Sequence, residues 1–108
     1  MNSKKNCDNV HIIPANKSGS LGKGEKIKGG CVCLTPGKSV GEHTTGEGEE
    51  ILLVLEGEAT VIAGGETQVL KKDESLFVPK NTLHNVTNEG VVNLVYVYFV
   101  GTGHGRQP

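Results

Sequence analysis

Residues 42–57, "EHTTGEGEEILLVLEG", place a histidine and several carboxylates directly before an apolar run. The run at 51–56 is apolar at odd and even positions alike, so both faces of the strand that it predicts are apolar. One face must pack against a second sheet, and the other must meet a partner or a covering segment. The stretch therefore predicts layered β structure with a polar site at the entrance of one strand.

The rest of the chain has the same short, β-branched pattern, bounded by Gly, Pro, Asn or Asp. Glycine makes up 16 of 108 residues, no window has a sustained helical period, and residues 15–26 are too rich in Gly and Ser for a helix. Tight turns are predicted at Glu56-Gly57 and Gly64-Gly65, both as hairpins between antiparallel strands. An all-β sandwich or barrel follows, with further strands at 10–13, 31–35, 58–63, 67–70, 75–79, 84–88 and 91–100.

Composition limits the classes of partner. The 108 residues suffice for about one domain, and 11 basic against 12 acidic side chains leave no basic face for nucleic acid. No segment approaches the roughly 18 apolar residues of a membrane-spanning helix, and no apolar leader follows the first lysines. We therefore expect a cytoplasmic protein whose partner is a small molecule or another subunit, with no nucleic acid and no membrane.

A spaced set of residues begins in the loop before the opening stretch. Gly37 is followed after five residues by His43, and Thr45 follows after one more residue. Glu50 follows after four residues, and Gly57 after six more. Histidine and carboxylate side chains are common ligands of divalent metals.

A second spaced set lies further along the chain. Five residues separate Asp73 from Pro79, and one residue separates Pro79 from Asn81. His84 follows after two residues, and Asn88 after three more. A match to a known sequence pattern at two separated blocks is far more specific evidence than a match at one short block.

Together the two blocks resemble the two motifs of the cupin family, and the resemblance covers roughly residues 30–100. This chain departs from the pattern at Thr45, where a second histidine is usual, and at Asp73 and Asn81, where glycines are usual. The resemblance implies a double-stranded β-helix, also called a jelly-roll barrel, that is often dimeric and holds one divalent metal. The expected organisation is a single cupin domain over residues 1–108, with a barrel core at about 27–100, an N-terminal arm at 1–26 and a C-terminal tail at 101–108.

His43, Glu50 and His84 are the expected metal ligands. Imidazole and carboxylate suit Zn, Fe, Mn or Ni, and such a set leaves coordination positions open for substrate. A threonine hydroxyl is a poor ligand, so we expect three protein ligands and partial metal occupancy, with Thr45 in a second-shell or substrate-facing role. Asn88 is assigned the same kind of role.

Other polar residues are interpreted as structural. Glu42, Glu47 and Glu49 are expected to form a solvated rim, while His11 and His104 are interpreted as an edge-strand residue and a tail residue. Cys33 is taken as a packing residue, with a soft ligand in the barrel as the alternative. Tyr96 and Tyr98 are expected in the core or at an interface.

Three functions stay open from the sequence. The first is a metal-dependent enzyme acting on a small molecule, such as a dioxygenase, a sugar isomerase or epimerase, or a lyase. The second is a non-catalytic barrel that binds or senses a sugar or an acid, and the third is a metal-free structural barrel, which Thr45 favours. A homodimer is predicted because the strands at 51–56 and 94–100 are apolar on both faces.

Overall fold

The computed structural model describes residues 13–101, which form nine strands and no helix. In that range no helix is long and apolar enough to cross a membrane. The strands are short because Gly, Pro and Asn interrupt the β-branched runs. They are β1 (Gly19–Lys23), β2 (Ile27–Leu34), β3 (His43–Thr44), β4 (Glu49–Glu56), β5 (Ala59–Ala63), β6 (Glu66–Leu70), β7 (Ser75–Val78), β8 (Leu83–Thr87) and β9 (Leu94–Gly101).

The strands form two antiparallel sheets. Sheet A has the order β1-β2-β9-β4-β7, and sheet B has the order β3-β8-β5-β6. The inner faces of the two sheets meet, which is the double-stranded β-helix that the two motifs implied. The prediction of an all-β barrel of the cupin type is confirmed.

The core lies between the sheets and consists of side chains from the inward positions of their strands. Leu52 and Val54 of β4 point inward behind Glu50, as alternation along the strand predicts. Each such buried aliphatic side chain contributes about 1.5–3 kcal/mol through removal of apolar surface from water. The buried cluster is completed by Ala59, Val61, Leu70, Val78, Val86, Leu94 and Tyr96.

One of the two predicted hairpins exists. Gly64 and Gly65 have φ angles of 58° and 84° and join β5 to β6, with Ala63 paired to Glu66. The positive angles at both central positions are those that a type I′ turn requires. The hairpin predicted at Glu56-Gly57 is wrong, because β4 belongs to sheet A and β5 to sheet B, so this turn crosses between the sheets.

The predicted arm at 1–26 contains a strand that the sequence did not indicate. β1 pairs with β2 in antiparallel register, and so part of the arm belongs to sheet A. Its sequence, "GSLGK", has one apolar side chain, because β1 lies at an edge and buries little. Of the strand predicted at 10–13, residue 13 is irregular and the other three lie outside the described residues.

Asp73 and Asn81, which replace the usual glycines, have positive φ angles of 70° and 53°. Asn and Asp tolerate the left-handed region better than other non-glycine residues do. The two departures in the second motif therefore keep its backbone shape.

Candidate metal centre

His43 and His84 are neighbours across a strand pair. β3 lies antiparallel to β8 with His43 directly opposite His84, and the ring centroids are 4.1 Å apart at an interplanar angle of 61°. His84 is 1% exposed, whereas His43 is exposed at the barrel mouth. Sheet B therefore brings together two imidazoles that lie far apart in sequence.

Glu50 reaches the same place from the opposite sheet. It occupies an inward position near the start of β4, and its side chain is nearly buried. The Oε1 atom of Glu50 lies 3.2 Å from Nε2 of His84. The candidate centre therefore bridges sheets A and B at the open end of the barrel.

Backbone carbonyls orient both imidazole rings. His43 donates its Nδ1–H to the carbonyl oxygen of Gly41 at 2.9 Å, and His84 donates its Nδ1–H to that of Thr82 at 3.0 Å. A carbonyl can only accept, so these contacts place the proton of each neutral ring on Nδ1 and leave the Nε2 lone pair free. This is the arrangement in which metal-binding histidines are usually held.

The lone pair of His84 then faces a carboxylate oxygen, which is an unfavourable contact unless a cation or a proton lies between them. The ligand atoms of His43, Glu50 and His84 all lie within 4.8 Å of one another. In residues 13–101 no other group of three His, Cys, Asp or Glu side chains offers such a cluster. The donor set and its orientation fit a divalent transition metal.

The three side chains open into a cavity of about 320 Å³. Burial raises the pKa of the Tyr96 hydroxyl above its ordinary value, and the negative charge of Glu50 adds to the shift. The wall opposite the metal ligands is mainly apolar. Besides the three candidate ligands, the lining residues are Lys28, Val32, Val40, Thr44, Thr45, Val86, Tyr96, Tyr98 and Val100.

Thr45 lines the cavity, but its hydroxyl is engaged in a loop contact. It donates to the carbonyl of Pro79 at 2.7 Å and accepts from the backbone N–H of Thr82 at 3.0 Å. The single hydroxyl proton is therefore not available to a ligand or to a metal-bound water. Alternation did not apply at this position, because β3 ends at Thr44 and residue 45 already belongs to the following turn.

Asn88, which is expected in a second-shell or substrate-facing role, contacts backbone groups in the structure. Asn88 is fully buried and does not line the cavity. Its amide donates to the carbonyls of Leu34 and Val92 at 2.8 and 2.9 Å and accepts from the N–H of Gly90 at 2.9 Å. The motif asparagine therefore holds the loop between β8 and β9 together instead of contacting a ligand.

The remaining sequence candidates lie away from the centre. Glu42, Glu47 and Glu49 are not among the residues that line the cavity, and Glu42 and Glu49 are exposed, as the solvated rim required. Cys33 is half-buried and does not line the cavity. His11 and His104 fall outside the described residues.

Two groups in the cavity wall were missed or underestimated from sequence. Lys28 lies in the segment "KIKGG", which resembles an ordinary solvated strand end. Tyr98 was assigned to packing, although it lines the cavity together with Tyr96. The sequence offered one signal, which is that both residues occupy inward-facing alternate positions of their strands, β2 and β9. That signal is useful only once the order of strands in sheet A is known.

Comparison with known proteins supports the fold and the motif assignment. The family described as "Cupin domain" matches residues 30–100. Tetracenomycin polyketide synthase protein TcmJ of Streptomyces glaucescens is 38% identical over 63 residues, which are 58% of this chain and 42% of the relative. Mannose-1-phosphate guanylyltransferase RfbM of Salmonella typhimurium is 30% identical over 81 residues, 75% of this chain and 17% of the relative. The chain thus spans less than half the length of these relatives.

A solved structure gives the same architecture. The TT1209 protein of Thermus thermophilus superposes with a TM-score of 0.74 at 22% identity, over 84% of this chain and 90% of the other. At 22% identity, the similarity is evidence for a shared fold alone.

Proposed function

This chain is a member of the cupin domain family, and on that basis we propose that His43, Glu50 and His84 hold one divalent transition-metal ion that binds a small molecule in the adjoining cavity. The observation that carries the proposal is the convergence of the ligand atoms of His43, Glu50 and His84 within 4.8 Å of one another, with Nε2 of His84 lying 3.2 Å from the Glu50 carboxylate. A proton between His84 and Glu50 would also remove the unfavourable contact. It would not explain why the imidazole of His43 lies at the same place.

The bound metal would act as a Lewis acid toward a carbonyl or carboxylate oxygen of the small molecule. The valines of the wall exclude water, and the Tyr96 hydroxyl donates a hydrogen bond to an oxygen atom in the cavity. A metal-dependent enzyme acting on an oxygen-bearing small molecule is the function that this arrangement supports best.

A second candidate is a barrel that binds its ligand without changing it. The observation that favours it is the lack of a further carboxylate in the cavity wall, where Glu50 is the one acidic residue among the lining residues of the described chain. A reaction that needs a side-chain base besides the ligands finds only Lys28, Tyr96 and Tyr98.

Elemental analysis of untagged protein, purified without chelator, tests the metal site. We expect up to one Zn, Fe, Mn or Ni per chain, with partial occupancy because only three side chains coordinate. Glu50→Gln should weaken zinc affinity at least about 100-fold, since it removes a ligand, whereas loss of an outer-shell partner costs about 10- to 100-fold.

Glu49→Gln is the matched control, because Glu49 is the adjacent, exposed carboxylate. His43→Ala is a second variant at an exposed position and should also lose affinity. Zinc binding of equal strength in Glu50→Gln and Glu49→Gln would contradict the proposed site.

We also propose that the protein forms a homodimer through the outer face of sheet A. Ile51 of β4 has Phe77 and Phe99 as its neighbours on either side, and these three side chains are 48%, 55% and 40% exposed. Such a row of large apolar side chains is unusual on a monomer. Light scattering should give about twice the chain mass of 11.4 kDa at micromolar concentration.

A further inference from the structure

Lys28 stands in the same row of the inner face as the candidate ligand Glu50. Lys28 pairs with Val100 across β2 and β9, and Val100 pairs with Glu50 across β9 and β4. Two strand spacings of about 4.8 Å place the Cα atoms of Lys28 and Glu50 about 10 Å apart. Both side chains line the same cavity, with the side chain of Val100 between them.

The ammonium group of Lys28 has no acidic partner among the described residues. Within residues 13–101, no carboxylate forms an ion pair with it. A lysine at the rim of a ligand cavity holds its charge in water while its stem covers apolar wall, and here that wall includes Val100. The group is therefore available to an anion that enters the cavity.

A buried hydroxyl in the same cavity also lacks a protein partner. Tyr96 is 3% exposed, and its Oη atom has no hydrogen bond to any other part of the described chain. Buried hydroxyl groups are almost always hydrogen-bonded, so an orphaned one that faces a cavity indicates a ligand or an ordered water. Tyr98 lies beside it, with its ring packed over Gly30, where a Cβ atom would come within 2.5–2.7 Å of the ring and its hydroxyl.

The cavity wall thus contains three kinds of polar group, which are the metal ligands, the two tyrosines and the ammonium group of Lys28. Lys28 lies across Val100 from Glu50. The cavity volume of about 320 Å³ is at the small end of the range of about 300–1,000 Å³ for ligand sites. A small molecule with oxygen atoms at both ends matches this spacing better than a neutral or a cationic one.

We infer that the ligand of this cavity is a small carboxylic acid with two oxygen-bearing ends, one bound at the metal centre and the other, a carboxylate, bound by Lys28. The inference rests on the proposed metal site, since it assigns the first end to the metal. It adds the charge of the ligand and the residue that selects it. Tyr96 donates to the ligand between the two ends.

Calorimetric titration of the zinc-loaded protein with succinate and with its monoamide, succinamate, tests the inference. The two probes have the same length. Because a carboxylate binds zinc more strongly than an amide does, each probe places a carboxylate on the metal, and the two differ in the end that faces Lys28. We expect succinate to bind about tenfold more tightly, since a charge-assisted hydrogen bond is roughly twice as strong as a neutral one. Lys28→Met should abolish this preference, so that the two probes bind with about equal affinity. Lys28→Arg should retain it.

Lys72→Met is the matched control, because Lys72 is an exposed lysine that lies outside the cavity. It should leave the preference for succinate unchanged. Zinc content and circular dichroism are measured for each variant before titration, so that loss of metal or of fold is not mistaken for loss of selectivity.

Each result bears on the inference. Zinc-loaded protein that binds both probes equally, or binds neither, overturns the inference and leaves the proposed metal site intact. A preference for succinate that survives Lys28→Met overturns the role of Lys28. Wild-type protein that binds no zinc overturns the proposed metal site, and this inference falls with it.

Discussion

The two faces of β4 have nearly the same composition and very different surroundings. The inward Leu52 is 1% exposed, whereas the outward Ile51 is 48% exposed. The inner face also changes along its length, from Glu50 at the mouth to an apolar core, while the outer face is apolar from Ile51 to Leu55. The chain alone buries the inner face, whereas the outer face stays largely exposed in the described chain. Composition cannot separate these two situations, because both faces consist of Leu, Ile and Val.

The largest expected effect separates the two faces directly. Leu52→Ala should lower the free energy of unfolding by about 2–5 kcal/mol, because it leaves a cavity in a packed core. Ile51→Ala, on the same strand, should cost less than about 1 kcal/mol in dilute protein, where its side chain is half in water. Urea unfolding followed by circular dichroism measures both.

Protein concentration sharpens the same comparison. If the outer face is a dimer contact, the cost of Ile51→Ala grows with concentration, since association stabilises the folded state by mass action. The cost of Leu52→Ala should not depend on concentration in this way. Equal losses for the two variants in dilute protein would contradict the distinction between the faces.

The second effect compares two asparagines near the end of β8. Asn88→Ala should lower the free energy of unfolding by about 2–4 kcal/mol, because three hydrogen bonds to partly buried backbone groups are lost at about 1 kcal/mol each. Asn85 accepts one hydrogen bond, from the backbone N–H of Gly41, so Asn85→Ala should cost about 1 kcal/mol. Thermal and urea unfolding provide the values. A larger loss for Asn85→Ala would show that the β8–β9 loop does not depend on Asn88.

The third effect concerns association more than folding. Phe77→Lys should convert the proposed dimer to a monomer of 11.4 kDa, because it places a charge in the outer apolar row. The free energy of unfolding of the monomer should change by less than about 1 kcal/mol, since Phe77 is mostly in water.

Val69→Lys is the control for Phe77→Lys, because Val69 is 52% exposed on the outer face of sheet B. Light scattering should find this variant unchanged in mass. A dimer that persists in Phe77→Lys and dissociates in Val69→Lys would move the interface to sheet B.

The smallest effect lies in a loop outside both faces. Asn81→Gly should change the free energy of unfolding by less than about 1 kcal/mol, because glycine accepts the positive φ freely but gives up more conformational entropy. Asn81→Val should cost about 1–2 kcal/mol, since a β-branched residue is strained in the left-handed region. Denaturation midpoints that follow the opposite order would show that the side chain of Asn81, and not its backbone, is what the loop needs.

The sequence predicted those features that depend on alternation or on motif spacing. The inward positions of β4 and the Gly64-Gly65 hairpin follow from local rules, and the spacing of the two blocks placed His43, Glu50 and His84 together. The metal, the dimer and the cytoplasmic location remain predictions.

The features that the sequence did not predict depend on pairing between distant strands. Nothing local distinguishes a turn that joins paired strands from one that crosses between sheets, so the Glu56-Gly57 turn was interpreted as a hairpin. Lys28 became a candidate only because β9 lies between β2 and β4.

That central position of β9 also governs how the chain can fold during synthesis. β2 and β4 both pair with β9, and it is the last of the nine described strands to leave the ribosome. Until then each of them presents an unpaired backbone edge to other nascent chains, a hazard that strand pairing normally removes. Sheet A is thus completed after translation of β9, by contacts of large sequence separation, which predicts slow folding and a period in which the chain is prone to aggregation.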